Sequence, residues 1–391
     1  MNPRIARLHA YPFERLARLK RGVTPPAHPP HIAMSIGEPQ HAPPPDILAA
    51  LHAQLHRLDR YPATAGIPEL RAAAASWLER RFRLRPNSID SETMVLPVAG
   101  TREGLFSFVQ TIVDPADKPL VVMPNPFYQI YEGATLLAGA EPHYYSGPLE
   151  EVPAGIWERC ALLIICTPGN PTGATFDLAA LRRVLDLSSR FGFVVASDEC
   201  YAELYQRDAA PPPSIANACE LAGRHQMHGC VAFHSLSKRS SVPGLRSGFA
   251  VGDPALMSAY LQYRTYHGSA MPLPAQLASI VGWNDEDYVV ANRALYREKF
   301  ARVVPILSPV LEMSIPDGAF YLWPYLGGRD DETFARALFE TQNVTVLPGS
   351  YLARDTGRGN PGKGHVRISL VPPLAECIAA AQRIASFLQT N

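Results

Sequence analysis

The sequence predicts an α/β protein whose larger part is built on a mainly parallel, seven-stranded sheet, followed by a smaller α+β unit. Two observations predict this. From about residue 47 to residue 270, helix-period segments alternate with short β-branched or apolar runs bounded by Gly and Pro, as in a chain that crosses repeatedly over a parallel sheet. After Pro274 the texture changes to long mixed helices, short strands and a closing helix.

The first twenty residues carry Arg4, Arg7, Arg15 and Arg18 but lack the continuous apolar block of a secretory signal, so an ordered N-terminal arm is expected. A Pro-rich stretch, 22–45, leads from that arm, packed on the smaller unit, into the larger one. Strands are expected over 93–98, 120–123, 142–145, 161–166, 193–197, 230–234 and 247–251, where aliphatic and β-branched residues cluster. Helices such as 102–113 and 177–190 lie between them. In the smaller unit a helix over 285–304 precedes strands around 318–325, 345–347 and 365–370 and a helix over 374–389. The expected division is 1–45 for the arm and its small-domain segment, 46–280 for the large domain and 281–391 for the small one.

Composition narrows the function. The chain has 391 residues, 47% of them hydrophobic and 18% charged, against about 25% charged in ordinary domains. Such a chain buries a large core and is not disordered. Thirty-six basic residues balance thirty-six acidic ones. That leaves no excess positive charge for nucleic acid or an anionic membrane, and no apolar run nears the roughly 20 residues that cross a bilayer. Six cysteines show no Cys-x-x-Cys and no His pair at zinc spacing. We therefore expect a reducing cytoplasm and no metal.

The most informative segment is His234-Ser-Leu-Ser-Lys-Arg-Ser-Ser-Val-Pro-Gly-Leu-Arg-Ser-Gly-Phe249, a strand end followed by a loop holding Lys238 and Arg246. Taken alone, Lys238 reads as a solvated lysine. A second reading, Ser235-x-x-Lys238 as the nucleophile of a penicillin-binding hydrolase, fails its own checks. Ser197-Asp-Glu199 lacks the Asn of Ser-Asp-Asn, lies on the wrong side, and no Lys-Thr-Gly follows. The third reading makes Lys238 the amine that joins pyridoxal phosphate, with Ser235, Ser237 and Arg246 donating to its phosphate.

That reading needs further parts, and each has a candidate. Asp198, at the end of an apolar strand, is the carboxylate for the ring nitrogen; sheltered from water, it gains several kcal/mol, about 5.5 at an effective dielectric of 20. As a local alternative, Asp198 caps a helix. Asn170, in Pro168-Gly-Asn-Pro-Thr-Gly173, sits beside the ring hydroxyl and the substrate carboxylate, and Tyr201, three residues past Asp198 on one helical face, is the second phenol-oxygen donor. Gly100, Thr101 and Arg102 present backbone N–H groups to an anion at a helix N-terminus. Tyr128 is the ring that stacks on the cofactor. Arg367, in a small-domain strand, suits a carboxylate through its planar fork.

Asn170, Asp198, Tyr201, Lys238, Arg246 and Arg367, each in a fitting local context, together closely resemble the class I/II aminotransferases of the aspartate aminotransferase superfamily. The resemblance covers nearly the whole chain. It implies a fold-type I homodimer with a large cofactor domain and a small domain that closes over substrate. By matching motif it makes Lys238 the Schiff-base lysine, Asp198 the pyridine partner, Asn170 and Tyr201 the donors to the ring hydroxyl, and Arg367 the carboxylate clamp. Gly100, Thr101, Ser235, Ser237 and Arg246 resemble the phosphate cup, and Gly37 in Ser35-Ile-Gly-Glu-Pro39 resembles the segment touching substrate. Tyr61 resembles the tyrosine that reaches the partner subunit's phosphate.

Within the family, Ser35–Pro39, His234–Phe249 and Arg264-Thr-Tyr-His-Gly268 look most like bacterial succinyldiaminopimelate aminotransferases of lysine biosynthesis. The expected reaction moves an amino group from an amino acid to a 2-oxo acid such as 2-oxoglutarate. Arg102 and Arg264 are the arginines offered for the distal end of the substrate. Aminotransfer from aspartate, alanine or an aromatic amino acid, and a C–S β-lyase reaction, are the alternatives on the same scaffold. A non-catalytic cofactor sensor is a third class, against which the lack of an appended basic segment counts.

Overall fold

The computed structural model describes residues 1–390. Its strands, in chain order, are β1 (Ile32–Ala33), β2 (Val95–Val98), β3 (Leu120–Pro124), β4 (Glu141–Tyr145), β5 (Cys160–Cys166), β6 (Val194–Asp198), β7 (Cys230–Ser235), β8 (Gly248–Gly252), β9 (Tyr321–Leu322), β10 (Val344–Thr345), β11 (Leu347–Pro348) and β12 (Val366–Ser369). All seven strands expected in the larger unit form, with ends shifted by a residue or two.

They make one seven-stranded sheet of order β2-β8-β7-β6-β5-β3-β4. Only β8 runs against its neighbours, β2 and β7. β5, β6 and β7 are buried along almost their whole length, which is why β5 is a continuous aliphatic run and β6 and β7 turn polar only in their last two residues. Helices cover both faces. One face packs Trp77, Leu78, Leu181 and Trp283 on the sheet; the other packs Leu105, Phe108 and Tyr131.

Strand direction positions the site. β2, β3, β5, β6 and β7 all point the same way, so the segments after Val98, Pro124, Cys166, Asp198 and Ser235 emerge on one edge, where open α/β sheets bind ligands. Antiparallel β8 begins on that same edge, just after Arg246.

A second apolar cluster gathers Ile32, Met34, Phe300, Leu338, Val344, Ile368 and Ile384. Its strands form two small sheets: β1 pairs in parallel with β10, and β12 lies between β11 and β9. The 345–347 run is thus split at Val346 between two sheets. The long helix Glu286–Leu307 starts from an Asp285 cap and packs on the closing helix Leu374–Thr390. We propose the division into 1–45, 46–280 and 281–391, with helix Leu273–Asn284 crossing the second boundary and its Trp283 packing on the larger sheet. The arm, however, touches both clusters' elements: Leu16 of helix Pro12–Leu19 packs on Leu347 and Leu352, whereas Arg4 donates to the carbonyl of Leu137.

Candidate active site

A cleft of about 510 Å³ opens at that sheet edge. Thr101, Arg102, Tyr128, Asn170, Asp198, Tyr201, Ser235, Ser237, Lys238 and Arg246 line it from the larger unit, Arg367 from the smaller one and Gly37 from the N-terminal segment. Gly100 stands directly behind, capping the helix Thr101–Ile112 with φ +84°, where a Cβ would lie 2.3 Å from Arg246 Nη2. Only glycine lets the arginine approach this helix start. Tyr61 lies elsewhere, fully exposed.

Lys238 follows β7 in a four-residue helix capped by Ser235, whose Oγ accepts from Ser237 N at 3.1 Å. Lys238 Nζ donates to the Gly37 carbonyl at 2.6 Å. Burial lowers its pKa to about 8, with Arg367 and Arg246 adding to the effect and Cys200 and Glu38 opposing it. Asp198 is the last residue of β6 and is buried. Burial raises its carboxyl's pKa, while hydrogen bonds from Tyr131 Oη (2.7 Å) and Cys200 N (3.2 Å) hold it down.

Two local expectations change. Residues 199–204 form successive turns, with Ala202 N donating to Glu199 O and Leu204 N to Tyr201 O, and no helix follows Asp198. Asp198 therefore caps a turn, and Tyr201 reaches the cleft from that turn and not along a helical face. Arg264 is no cleft residue: it is buried, bound to Glu103 at 2.5 Å and to the Ser269 carbonyl at 2.9 Å. Arg102 does face the cleft, its guanidinium 5.3 Å from the ring centre of Tyr11.

Arg367 Nη1 donates to Asn170 Oδ1 at 2.8 Å and Nη2 to the Ser35 carbonyl at 2.7 Å; its Nε is buried without a partner. Its guanidinium stacks on Tyr321, 4.5 Å from the ring centre. Among the described residues no carboxylate pairs with this buried guanidinium, which leaves its Nε as a free donor.

The family described as "Aminotransferase class I and II" matches residues 29–384. The chain belongs to that family. This aminotransferase is therefore an enzyme that depends on pyridoxal phosphate. It is 31% identical to an LL-diaminopimelate aminotransferase from Nitratidesulfovibrio vulgaris over 98% of this chain and 97% of that one. A crystal structure of an aminotransferase from Neisseria meningitidis superposes with TM-score 0.94 at 47% identity, covering 99% of this chain and all of that one. A probable N-succinyldiaminopimelate aminotransferase from Thermus thermophilus superposes with TM-score 0.84 at 27% identity, over 96% and 99% of the two chains.

Two tyrosines of this aminotransferase's site escape sequence reading. Tyr131 bonds Asp198, and Tyr321 shares a 2.7 Å hydrogen bond with Tyr201. Tyr131 carried a usable signal, three residues past Tyr128 and so one helical turn on. Tyr321 carried none, since its partner is 120 residues away.

Proposed function

We propose that this aminotransferase exchanges the amino group of N-succinyl-LL-2,6-diaminopimelate with 2-oxoglutarate, in lysine biosynthesis, and works as a cytoplasmic homodimer. One observation carries the chemistry: an amine of lowered pKa, a buried carboxylate and an unsatisfied guanidinium share one cleft. The names of the relatives and of the Thermus thermophilus structure support the substrate class. So does the cleft lining, where Phe13, Ile36 and Leu352 offer apolar walls to a long acylated chain and Arg102 a cation to its distal carboxylate.

The donor set fits pyridoxal phosphate. The free N–H groups that begin helix Thr101–Ile112, the hydroxyls of Ser235 and Ser237 and the Arg246 guanidinium would hold the phosphate. Tyr128 would stack on the ring, and Asn170 and Tyr201 would face its hydroxyl. When bound, pyridoxal phosphate supplies an aldehyde that takes up the amino group and a protonated ring that withdraws electrons from the bond being broken.

The chain's own residues do the rest. Asp198 would face the ring nitrogen, where hydrogen bonds from Tyr131 and Cys200 favour its charged form against the burial that raises its pKa. Arg367 binds the substrate carboxylate, with Asn170 and Ser35 fixing its fork. Lys238 moves the proton from the substrate's α-carbon: with a pKa of about 8, roughly a tenth of it is the neutral base at pH 7.

Ultraviolet–visible spectra of the purified protein, taken with glutamate and then with 2-oxo acids, test this. Reversible conversion between the aldehyde and amine forms of the cofactor is expected. Turnover without any 2-oxo acid, releasing ammonia and pyruvate, would mark a lyase instead. A second reading, unacylated LL-diaminopimelate, is favoured by the relatives' name and by Glu38, an acidic cleft residue suited to a free distal ammonium. Comparing kcat/KM for succinylated and free diaminopimelate decides between them.

A further inference from the structure

Lys238 and Arg239 end a helix of four residues, too short to satisfy its own last carbonyls. Both carbonyls are met from outside, by Asn292 Nδ2 at 3.2 Å each. Asn292 lies on the helix Glu286–Leu307, and its Oδ1 is 2.7 Å from His41 Nδ1. His41 Nε2 is in turn 2.7 Å from Lys299 Nζ, which also donates to the Val371 carbonyl at 3.1 Å. Asn292 and Lys299 are buried.

The direction of every bond in this chain follows from Lys299. An ammonium only donates, so His41 Nε2 accepts; a neutral imidazole then carries its hydrogen on Nδ1 and donates to Asn292 Oδ1. That leaves the Asn292 amide hydrogens for the two carbonyls. Lys299 forms no ion pair among the described residues; its neighbours are the rings of His41 and Tyr296, the Val371 carbonyl and the Cys377 thiol. Burial lowers its pKa to about 8. His41, its pKa lowered by burial and by Lys299 against the opposing bond to Asn292, stays neutral near pH 7.

We propose that Lys299, His41 and Asn292 form a one-way hydrogen-bond relay that fixes the main chain carrying Lys238, with His41 as a positioning residue. The proposal rests on the reading of Lys238 as the cofactor-bearing lysine. The relay also joins three parts of the chain at one place. His41 ends the segment whose Ser35 and Gly37 carbonyls already hold Arg367 and Lys238, so the substrate clamp and the reactive amine are registered by one stretch of backbone.

The test uses full-length protein with pyridoxal phosphate. In [15N]histidine-labelled wild type, assigned by loss of one signal in His41→Gln, nitrogen NMR at pH 7 should show His41 neutral with hydrogen on Nδ1. Hydrogen on Nε2, or a charged ring, would overturn the relay. Among variants, His41→Phe and Lys299→Met should lower kcat by about ten- to a hundredfold, the loss expected of a misplaced reactive group, with KM little changed. They should also slow uptake of pyridoxal phosphate by the apoprotein. His41→Gln, which can accept from Lys299 and donate to Asn292, and Lys299→Arg should retain both properties. Wild-type kcat in His41→Phe, or equal losses in His41→Phe and His41→Gln at matched melting temperatures, would overturn the proposal. Borohydride trapping and peptide mapping of the wild type report separately whether Lys238 takes the cofactor; the nitrogen spectrum does not depend on that result.

Discussion

Tyr131 Oη donates to Asp198 Oδ2 at 2.7 Å, and both residues are buried. Asp198 ends β6 and Tyr131 lies on the helix after β3, with β5 between the two strands, and the bond favours the charged form of a carboxylate whose pKa burial raises. A hydrogen bond to a charged group contributes roughly 1.5–3 kcal/mol, so Tyr131→Phe should lower kcat by about ten- to a hundredfold at saturating substrates. An unchanged kcat would show that Asp198 needs no such support. Asp198→Asn should do the reverse for stability. An acid whose pKa is raised in the folded protein destabilises it as pH climbs above the usual carboxylate range. The apoprotein of Asp198→Asn should therefore melt higher than wild type at pH 7, with turnover nearly abolished.

Lys238 makes a pH prediction. Only the neutral amine attacks an aldehyde, so uptake of pyridoxal phosphate by the apoprotein should rise about tenfold per pH unit from pH 6 and level off above about 8. A profile still rising at pH 10 would mean an unperturbed lysine. Lys238→Ala should bind the cofactor reversibly and turn over nothing.

Arg354 and Glu132 form a bidentate pair, 2.7 and 2.6 Å, between the loop after β11 and the helix Ile130–Ala138. Glu132 also accepts from Tyr144, and Asn125 bonds the main chain of Arg354. Removing one member leaves a buried charge unpaired, so Arg354→Met should cost about 3–5 kcal/mol in denaturant unfolding. Adding Glu132→Gln should recover much of that loss. If the double variant is as unstable as the sum of the singles, the pair is not coupled.

Arg367→Lys keeps the charge and loses the fork. Its KM for amino donors should rise by about a hundredfold or more, while the cofactor spectrum stays that of wild type.

Tyr61 is fully exposed in the single chain, near exposed Leu55 and Leu58 on the same stretch. We propose that in a homodimer it reaches the other subunit's phosphate site. Tyr61→Phe should then weaken pyridoxal phosphate binding about tenfold without altering the sedimentation of the dimer. A monomer in sedimentation would sink the shared site.

Much of this was legible because parallel strands are buried on both faces and announce themselves as aliphatic runs, and because chemistry sits where such strands end. Asp198 could be picked out by that rule; Asn170 and Lys238 needed the rest of the constellation, since each alone reads as a turn residue or a solvated lysine. What stayed hidden depends on distance in sequence. Tyr321, His41 and Asn292 act on residues more than fifty positions away, and nothing in their own neighbourhoods says so. Arg264 misled for the complementary reason: an arginine paired with Glu103 reads the same, letter by letter, as one waiting for substrate. Tyr201 landed in the cleft although the helix expected to carry it does not form, since a turn also brings residue i+3 back beside residue i.

The pairing of Ile32–Ala33 with Val344–Thr345 also sets an order of events during synthesis. At about 5–20 residues per second, the N-terminal strand emerges from the ribosome some fifteen seconds to a minute before its partner exists. Until then Ile32 and Met34, both apolar and destined for the core, have no sheet to join. The sheet of the larger unit is complete by Gly252 and can form while the arm waits, so the cleft gains its floor first and the segment holding Gly37 and Ser35 last.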